Sequence, residues 1–285
     1  MMNTPTMKVL TSSDGTTIYA EAIGDPRNPA VVLAHGMCLS AAAFDGLFRD
    51  KRLLDKLYLV RYDLRGHGRS GMPAGIKGYR SSLWADDYAA VLKAFGLTKS
   101  YGATVVADVC AHTESHPFIG LVFVAPLPYI GPVNVGTPTV LRLIPGLMNT
   151  TDVALSSRTR VKFVDSCFNE PVDFGVRTSL IGQTILQPPE VEAYVLSRPQ
   201  DPQKMWEAAR AGLPLLLLNG TEDKQVSGEA VVRELSPHYT KMEVRMIEGG
   251  SHALFMEKQD ECVEALLTFV ARLTVGDGCF PHALY

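Results

Sequence analysis

Long apolar runs are scarce in this 285-residue chain. The densest, Gly120 to Pro128 and Leu213 to Leu218, stop well short of the ~20 residues that span a bilayer, so no membrane segment is expected. The start MMNTPTMKVLTSSDG lacks a basic segment followed by an apolar one, the pattern of a secretory leader. Neither sign of charge dominates: 27 Lys+Arg against 30 Asp+Glu leave a net charge of −3, and no basic run is present to follow a phosphate backbone or an anionic membrane. Nucleic acid is therefore not an expected partner. Cysteine is sparse and scattered: Cys38, Cys110, Cys167, Cys262 and Cys279 are odd in number and nowhere spaced C-x-x-C. That indicates neither a disulfide framework nor a zinc site, and it points to a reducing, cytoplasmic compartment. Repeats and low-complexity tracts are also missing.

With 46% hydrophobic and 20% charged residues, the composition is that of a globular chain. At ~150 residues per domain, the length suits two small domains or one large α/β domain with an insertion. Lys8 to Thr11 and Thr16 to Ile23 read as two strands joined through Ser13-Asp14-Gly15, an opening hairpin. Ala30 to Ala34 (AVVLA) and Leu57 to Arg61 (LYLVR) are short and apolar without alternation, as in a parallel strand covered on both faces. Between them, Phe44, Leu47, Phe48 and Leu54 suggest a helix over Ala41 to Leu54. Trp84, Tyr88, Val91, Leu92 and Phe95 mark an amphipathic helix from Ser82 to Phe95, ended by Gly96. A helix from Tyr101 to about His112 and a strand at Leu121 to Val124 follow. From Leu127 to Ala211 the pattern is mixed and helical, with no core strand. Strands then resume at Pro214 to Leu218 and Met242 to Ile247, with helices at Gly228 to Leu235 and around Val263, Leu266, Leu267 and Val270. This alternation predicts a doubly wound, mostly parallel sheet. Its core is residues 1–126 and 212–275, the helical insertion is 127–211, and 276–285 form a tail.

Several polar segments fall where such a sheet would put them at strand ends. Ala34-His35-Gly36-Met37-Cys38 follows the first buried strand. Its turn could aim the Met37 backbone N–H at an anion, or simply join strand to helix. Tyr62 to Ser70 carries two glycines and four ionisable residues but no G-x-x-x-x-G-K-[ST] fingerprint, which favours a loop bonded within itself over a phosphate cradle. Ser100-Tyr101-Gly102-Ala103 places a hydroxyl before small residues, as a nucleophile's tight turn needs, although serine there is also a good helix N-cap. Glu222 and Asp223 follow one late strand and His252 the next. A lone histidine is usually structural. Strand, acid, strand and histidine in succession form the order that hydroxyl catalysis requires.

These motifs together resemble the α/β-hydrolase superfamily over nearly the whole chain. The resemblance rests on His35-Gly36, the Tyr62 to Ser70 loop, Ser100-Tyr101-Gly102-Ala103, Gly220 to Asp223 and Gly250-Ser251-His252. It implies Ser100 as nucleophile, Asp223 (rather than Glu222) as acid and His252 as base, in that family's chain order. It further implies an oxyanion hole from the N–H groups of Met37 and Tyr101, with the insertion as a cap shaping the pocket. The activity implied is cleavage of an ester-like bond in a small, apolar substrate through an acyl-enzyme, without metal or organic cofactor. Cofactor-free haloperoxidases use the same three residues. An aspartate at the nucleophile's place, as in epoxide hydrolases and dehalogenases, is not found, and Asp108 reads as a solvated or capping side chain.

In one respect the chain departs from the pattern: no G-x-S-x-G occurs anywhere. Between Phe95 and Ser100 stand only Gly96, Leu97, Thr98 and Lys99. Four residues reach ~13 Å, less than the ~17 to 20 Å of an ordinary strand. The central strand ahead of the nucleophile therefore has no sequence of its own. The alternatives are a catalytically impaired scaffold, a coding sequence that lacks a short segment before Ser100, or a helix that unwinds to donate residues.

Overall fold

A computed structural model describes residues 4–98, 100–102, 105–131 and 134–275, and the expected tail lies outside them. Eight strands form one sheet: β1 (Thr6–Thr11), β2 (Thr17–Gly24), β3 (Ala30–Ala34), β4 (Tyr58–Tyr62), β5 (Ser100–Gly102), β6 (Phe118–Val124), β7 (Leu215–Gly220) and β8 (Met242–Ile247). Their spatial order is β1-β2-β4-β3-β5-β6-β7-β8. The β1–β2 and β2–β4 pairs are antiparallel, and every later pair is parallel. The helices are α1 (Lys51–Leu54), α2 (Ser81–Ala94), α3 (Val106–His112), α4 (Pro138–Leu147), α5 (Val153–Asp165), α6 (Phe174–Leu186), α7 (Pro189–Leu196), α8 (Gln203–Arg210), α9 (Gly228–Leu235), α10 (Leu254–Glu257) and α11 (Gln259–Val275). Among the described residues, no helix is long and apolar enough to cross a membrane.

Strand side chains alternate between two faces, and each face has its own core. Val32, Val60, Phe123, Leu215 and Leu217 pack with Trp84, Tyr88 and Val91 of α2 on one side. Val31, Leu59, Leu216 and Leu218 pack with Val263, Leu266, Phe269 and Val270 of α11 on the other. Coverage on both faces explains why these strands read as unbroken apolar runs. Helices α4 to α8 lie between β6 and β7 in the chain. A third cluster seats this segment on the core: Val140, Leu147, Phe163 and Phe168 meet Cys38 and Ala253.

Two expected helices are changed. Ala41 to Leu54 breaks into two short 3-10 turns and α1, because Asp50 adopts an extended conformation (φ −74°, ψ 111°) and its carboxylate accepts the Arg52 N–H, starting α1 afresh. The helix expected from Tyr101 starts instead at Val106, five residues later. The cause lies upstream. Gly96 (φ +67°) ends α2 where expected, leaving Gly96 to Lys99 as the only connection. Yet β3 and β6 need a strand between them, since unpaired ladder groups inside a sheet are costly. Ser100–Gly102 fill that place, and residues patterned for a helix become strand.

Candidate active site

The site is built on the turns that follow β3, β7 and β8. Beyond β7, the Asp223 side chain is 1% exposed. One of its oxygens accepts the backbone N–H groups of Gln225 (2.7 Å) and Val226 (2.9 Å). Its other oxygen lies 3.0 Å from His252 Nδ1, which donates to it. With both carboxylate oxygens engaged, the imidazole is fixed as the Nδ1–H tautomer and Nε2 is left to accept a proton. The two turns are pressed together main chain to main chain. The Thr221 and Glu222 N–H groups donate to the Ile247 and Gly250 carbonyls at 3.0 Å each. A Cβ at Gly220 would come within 2.0 Å of the Gly250 carbonyl oxygen, so only glycine fits there. Of the two candidate acids, Asp223 is the one that meets the histidine.

The turn after β3 brings His35 and Met37 to the same place. His35 Nε2 accepts the Leu64 N–H (3.0 Å), and its Nδ1 donates to the Gly36 carbonyl (2.8 Å). Burial holds the His35 pKa below the usual histidine value, consistent with a neutral structural ring. Cys38 takes the left-handed conformation (φ +59°), uncommon without a glycine, and turns the chain sharply behind Met37. A cavity of about 350 Å³ opens here, lined by Met37, Val105, Val140, Phe163, Val195 and His252 among others. Among the described residues no cluster of His, Cys, Asp or Glu suits a metal ion.

Ser100 and Tyr101 do not stand where the sequence places them. Ser100 is the first residue of β5, opposite Phe118, the first residue of β6. Tyr101 lies opposite Val31 and Gly120. A bulge between Ser100 and Tyr101 leaves Gly102 level with Leu121, three residues short of the carboxyl end of β6 at Val124; carried forward, that register would bring position 105, five residues beyond Ser100, to that end. At ~3.3 Å per residue, five residues amount to ~16 Å of strand. Drawing Ser100 to Gly102 into the strand has moved them from the turn into the sheet. Ala103 and Thr104 lie outside the described residues.

The Tyr62 to Ser70 loop is bonded within itself and to the core. Asp63 accepts from the Ala41 N–H (2.7 Å) and the Arg69 N–H (2.8 Å). Arg65 is fully buried and reaches Asp87 through both Nε (2.7 Å) and Nη2 (2.6 Å). His67, pushed down to about 3 chiefly by burial, accepts from the Gln187 amide at 2.9 Å. Asp108 is buried too, in an ion pair with Arg198 (3.1 Å) and a hydrogen bond from Gln200 (2.6 Å), rather than solvated.

Two residues with no sequence signal of their own join the site's surroundings. Gln225 stands two positions after Asp223, where the tendency of Asp to bond its own backbone two residues on is the one general rule that would have drawn notice to it. Glu192, on α7, is fully buried beside the Cys38 thiol. Burial pushes its pKa up to about 7, against the pull of the Arg160 guanidinium. Its ordinary value is 4.5, so the folded chain favours the neutral acid. The stability this group contributes is complete below pH ~4.5 and is lost as the pH rises through 7. Glu192→Gln, which cannot ionise, is therefore expected to gain ~3 kcal/mol over the wild type between pH 4 and pH 8, measured by urea unfolding at both.

The chain is 39% identical over 85 residues to a Mycobacterium tuberculosis protein named probable oxidoreductase EphD, covering 30% of this chain but 14% of that one. It is 34% identical over 142 residues to the non-heme chloroperoxidase of Streptomyces lividans, 47% of this chain and 48% of that one. It thus spans under half the length of these curated relatives. Among solved structures, the esterase RhEst1 from Rhodococcus sp. ECU1013 superposes with a TM-score of 0.83 at 27% identity, covering 94% of this chain and 99% of that one. A bromoperoxidase from Bacillus anthracis shares the fold, with a TM-score of 0.75 at 19% identity over 94% of this chain and 100% of its own. The family model for the alpha/beta hydrolase family matches residues 31–265. With most of the chain matched and an acid and a histidine on successive strand ends, the protein belongs to the alpha/beta hydrolase family.

Proposed function

We propose that this protein hydrolyses an ester-like bond in a small, mainly apolar molecule by a Ser-His-Asp mechanism, with residues 127–211 acting as the cap over the substrate. The observation that carries this reading is the 3.0 Å contact between His252 Nδ1 and a buried Asp223, beside a cavity walled largely by apolar side chains. In this mechanism His252 Nε2 takes the Ser100 hydroxyl proton as the oxygen attacks the carbonyl carbon. Asp223 stabilises the imidazolium that forms. The Met37 N–H receives the oxyanion, joined by that of Tyr101, each such donor being worth ~10² to 10³ in rate. His252 then returns the proton to the leaving alcohol, and water, activated by the same imidazole, cleaves the acyl-enzyme. No metal or organic cofactor enters. The substrate is a small molecule, and the four described cysteines, all free, accord with a cytoplasmic setting.

A second reading is favoured by one observation, the register of Ser100 against Phe118. A nucleophile that far from the base makes the chain a silent scaffold that still binds apolar ligands. For Ser100 to act, β5 must be re-registered by five residues, with Phe95 to Lys99 entering the sheet and the last turn of α2 unwinding. A fluorophosphonate probe decides between the two. Hydrolase function predicts covalent labelling at Ser100, abolished in Ser100→Ala and slowed at least ~100-fold in His252→Ala. A folded chain that stays unlabelled is the silent scaffold.

A further inference from the structure

The acid's setting reaches into the cap. Gln225 is 2% exposed, and its side-chain amide donates to three acceptors at the end of α5: the Phe163 carbonyl (3.2 Å), Ser166 Oγ (2.9 Å) and Cys167 Sγ (3.1 Å). A helix leaves its last carbonyls without backbone partners, and that of Phe163 is met by the Ser166 hydroxyl (2.7 Å) and the Cys167 thiol (3.5 Å) as well as by Gln225. A core loop therefore caps a cap helix. The same residue's backbone N–H holds Asp223 at 2.7 Å. Neighbouring bonds close around it. Lys224 Nζ donates to the Phe168 carbonyl (2.9 Å), the Thr137 N–H to the Gln225 carbonyl (2.8 Å), and the Ala253 N–H, next to His252, to the Cys167 carbonyl (2.9 Å). The segment from Phe163 to Phe168 thus grips the acid's loop and the histidine's loop together.

We infer that Gln225 is a positioning residue: by fastening the acid's loop to the end of α5, it makes the alignment of Asp223 with His252 depend on a seated cap. This rests on the reading of Asp223 and His252 as a proton relay. Among the bonds that hold Asp223, the one from the Gln225 N–H is the one whose own side chain is anchored in the cap. An unseated cap leaves that loop held by the core alone, and Asp223 free to turn from the ring.

The test reads the imidazole itself and needs no catalysis. The chain, with its histidine rings labelled with 15N, is examined by NMR in alkaline buffer for the tautomer of His252, as wild type and as Gln225→Met, which keeps the length and removes the donor. The expected result is an Nδ1–H tautomer in the wild type and, in the variant, a shift to the mixed tautomers of a free imidazole, with the backbone amide spectrum otherwise preserved. An Nδ1–H ring unchanged in Gln225→Met overturns the inference. Should Gln225→Met not fold, Ser166→Ala removes one acceptor and leaves Gln225 in place. A partial tautomer shift then supports the inference, and none overturns it. A tautomer shift in a chain that fluorophosphonate does not label keeps the positioning role and removes the hydrolase. Labelling without a tautomer shift does the reverse.

Discussion

Five strand-forming residues inserted between Lys99 and Ser100 are expected to raise fluorophosphonate labelling of that serine by at least ~100-fold over the wild-type chain, followed as the rate of covalent adduct formation by mass spectrometry. The number five comes twice from the structure. The Gly102–Leu121 register, carried forward, would bring position 105 level with the end of β6, and α3 begins five residues after its sequence pattern does. Both describe one displacement. With five added residues occupying the place between β3 and β6, Ser100 would stand at the strand's end, Tyr101 would open the helix, and the buried face of that helix would resume its patterned start. Since misplacement by ~1 Å can cost ~100-fold, recovery from ~16 Å has at least that effect. A lengthened chain that folds, carries the Asp223–His252 contact and still resists the probe would refute the displacement account. Insertion of five glycines, poor strand formers, is the control expected to recover far less.

Arg65→Ala is expected to lower the unfolding free energy by ~3 to 5 kcal/mol, measured by urea denaturation at neutral pH. The Arg65 guanidinium has no solvent contact. It holds Asp87 on α2 with two hydrogen bonds, Asp14 at 3.0 Å, Ser12 Oγ at 3.2 Å and the carbonyls of Gly78 (2.6 Å) and Leu83 (3.2 Å). Truncation leaves a carboxylate, 3% exposed, without its counter-charge and leaves several acceptors unpaired. The double variant Arg65→Met with Asp87→Leu should recover much of the loss, because the cost lies in the orphaned charge more than in the missing attraction. A single variant within ~1 kcal/mol of wild type would show that water replaces the guanidinium.

Local rules made most of the architecture legible. The buried strands announced themselves because a sheet covered on both faces favours apolar side chains on both, and β3, α9 and β8 fall on the residues their patterns marked. Gly96 stopped α2 as a left-handed terminator should. What failed to show locally was decided at long range. Thr98 and Tyr101 are the only strand-favouring types between Gly96 and Gly102, too few to mark a strand; the demand comes from β3 and β6, and no window over residues 95–112 can register it. The Ala41 to Leu54 helix broke for the opposite reason, a short-range competitor: the Asp50 side chain captures a backbone N–H and restarts the chain. In the site, Asp223 and His252 could be read from their order after successive strands. Gln225 could not, because its partners at the end of α5 are some sixty positions away in the chain.

The absence of any side chain at Gly220 lets two loops share one layer of peptide groups. The main chains of the two loops are thereby held in register, whatever sets the side chains they carry, and Glu222 and Glu248 stand exposed on them. Variation at those exposed positions changes surface charge and leaves the peptide layer between the two loops intact.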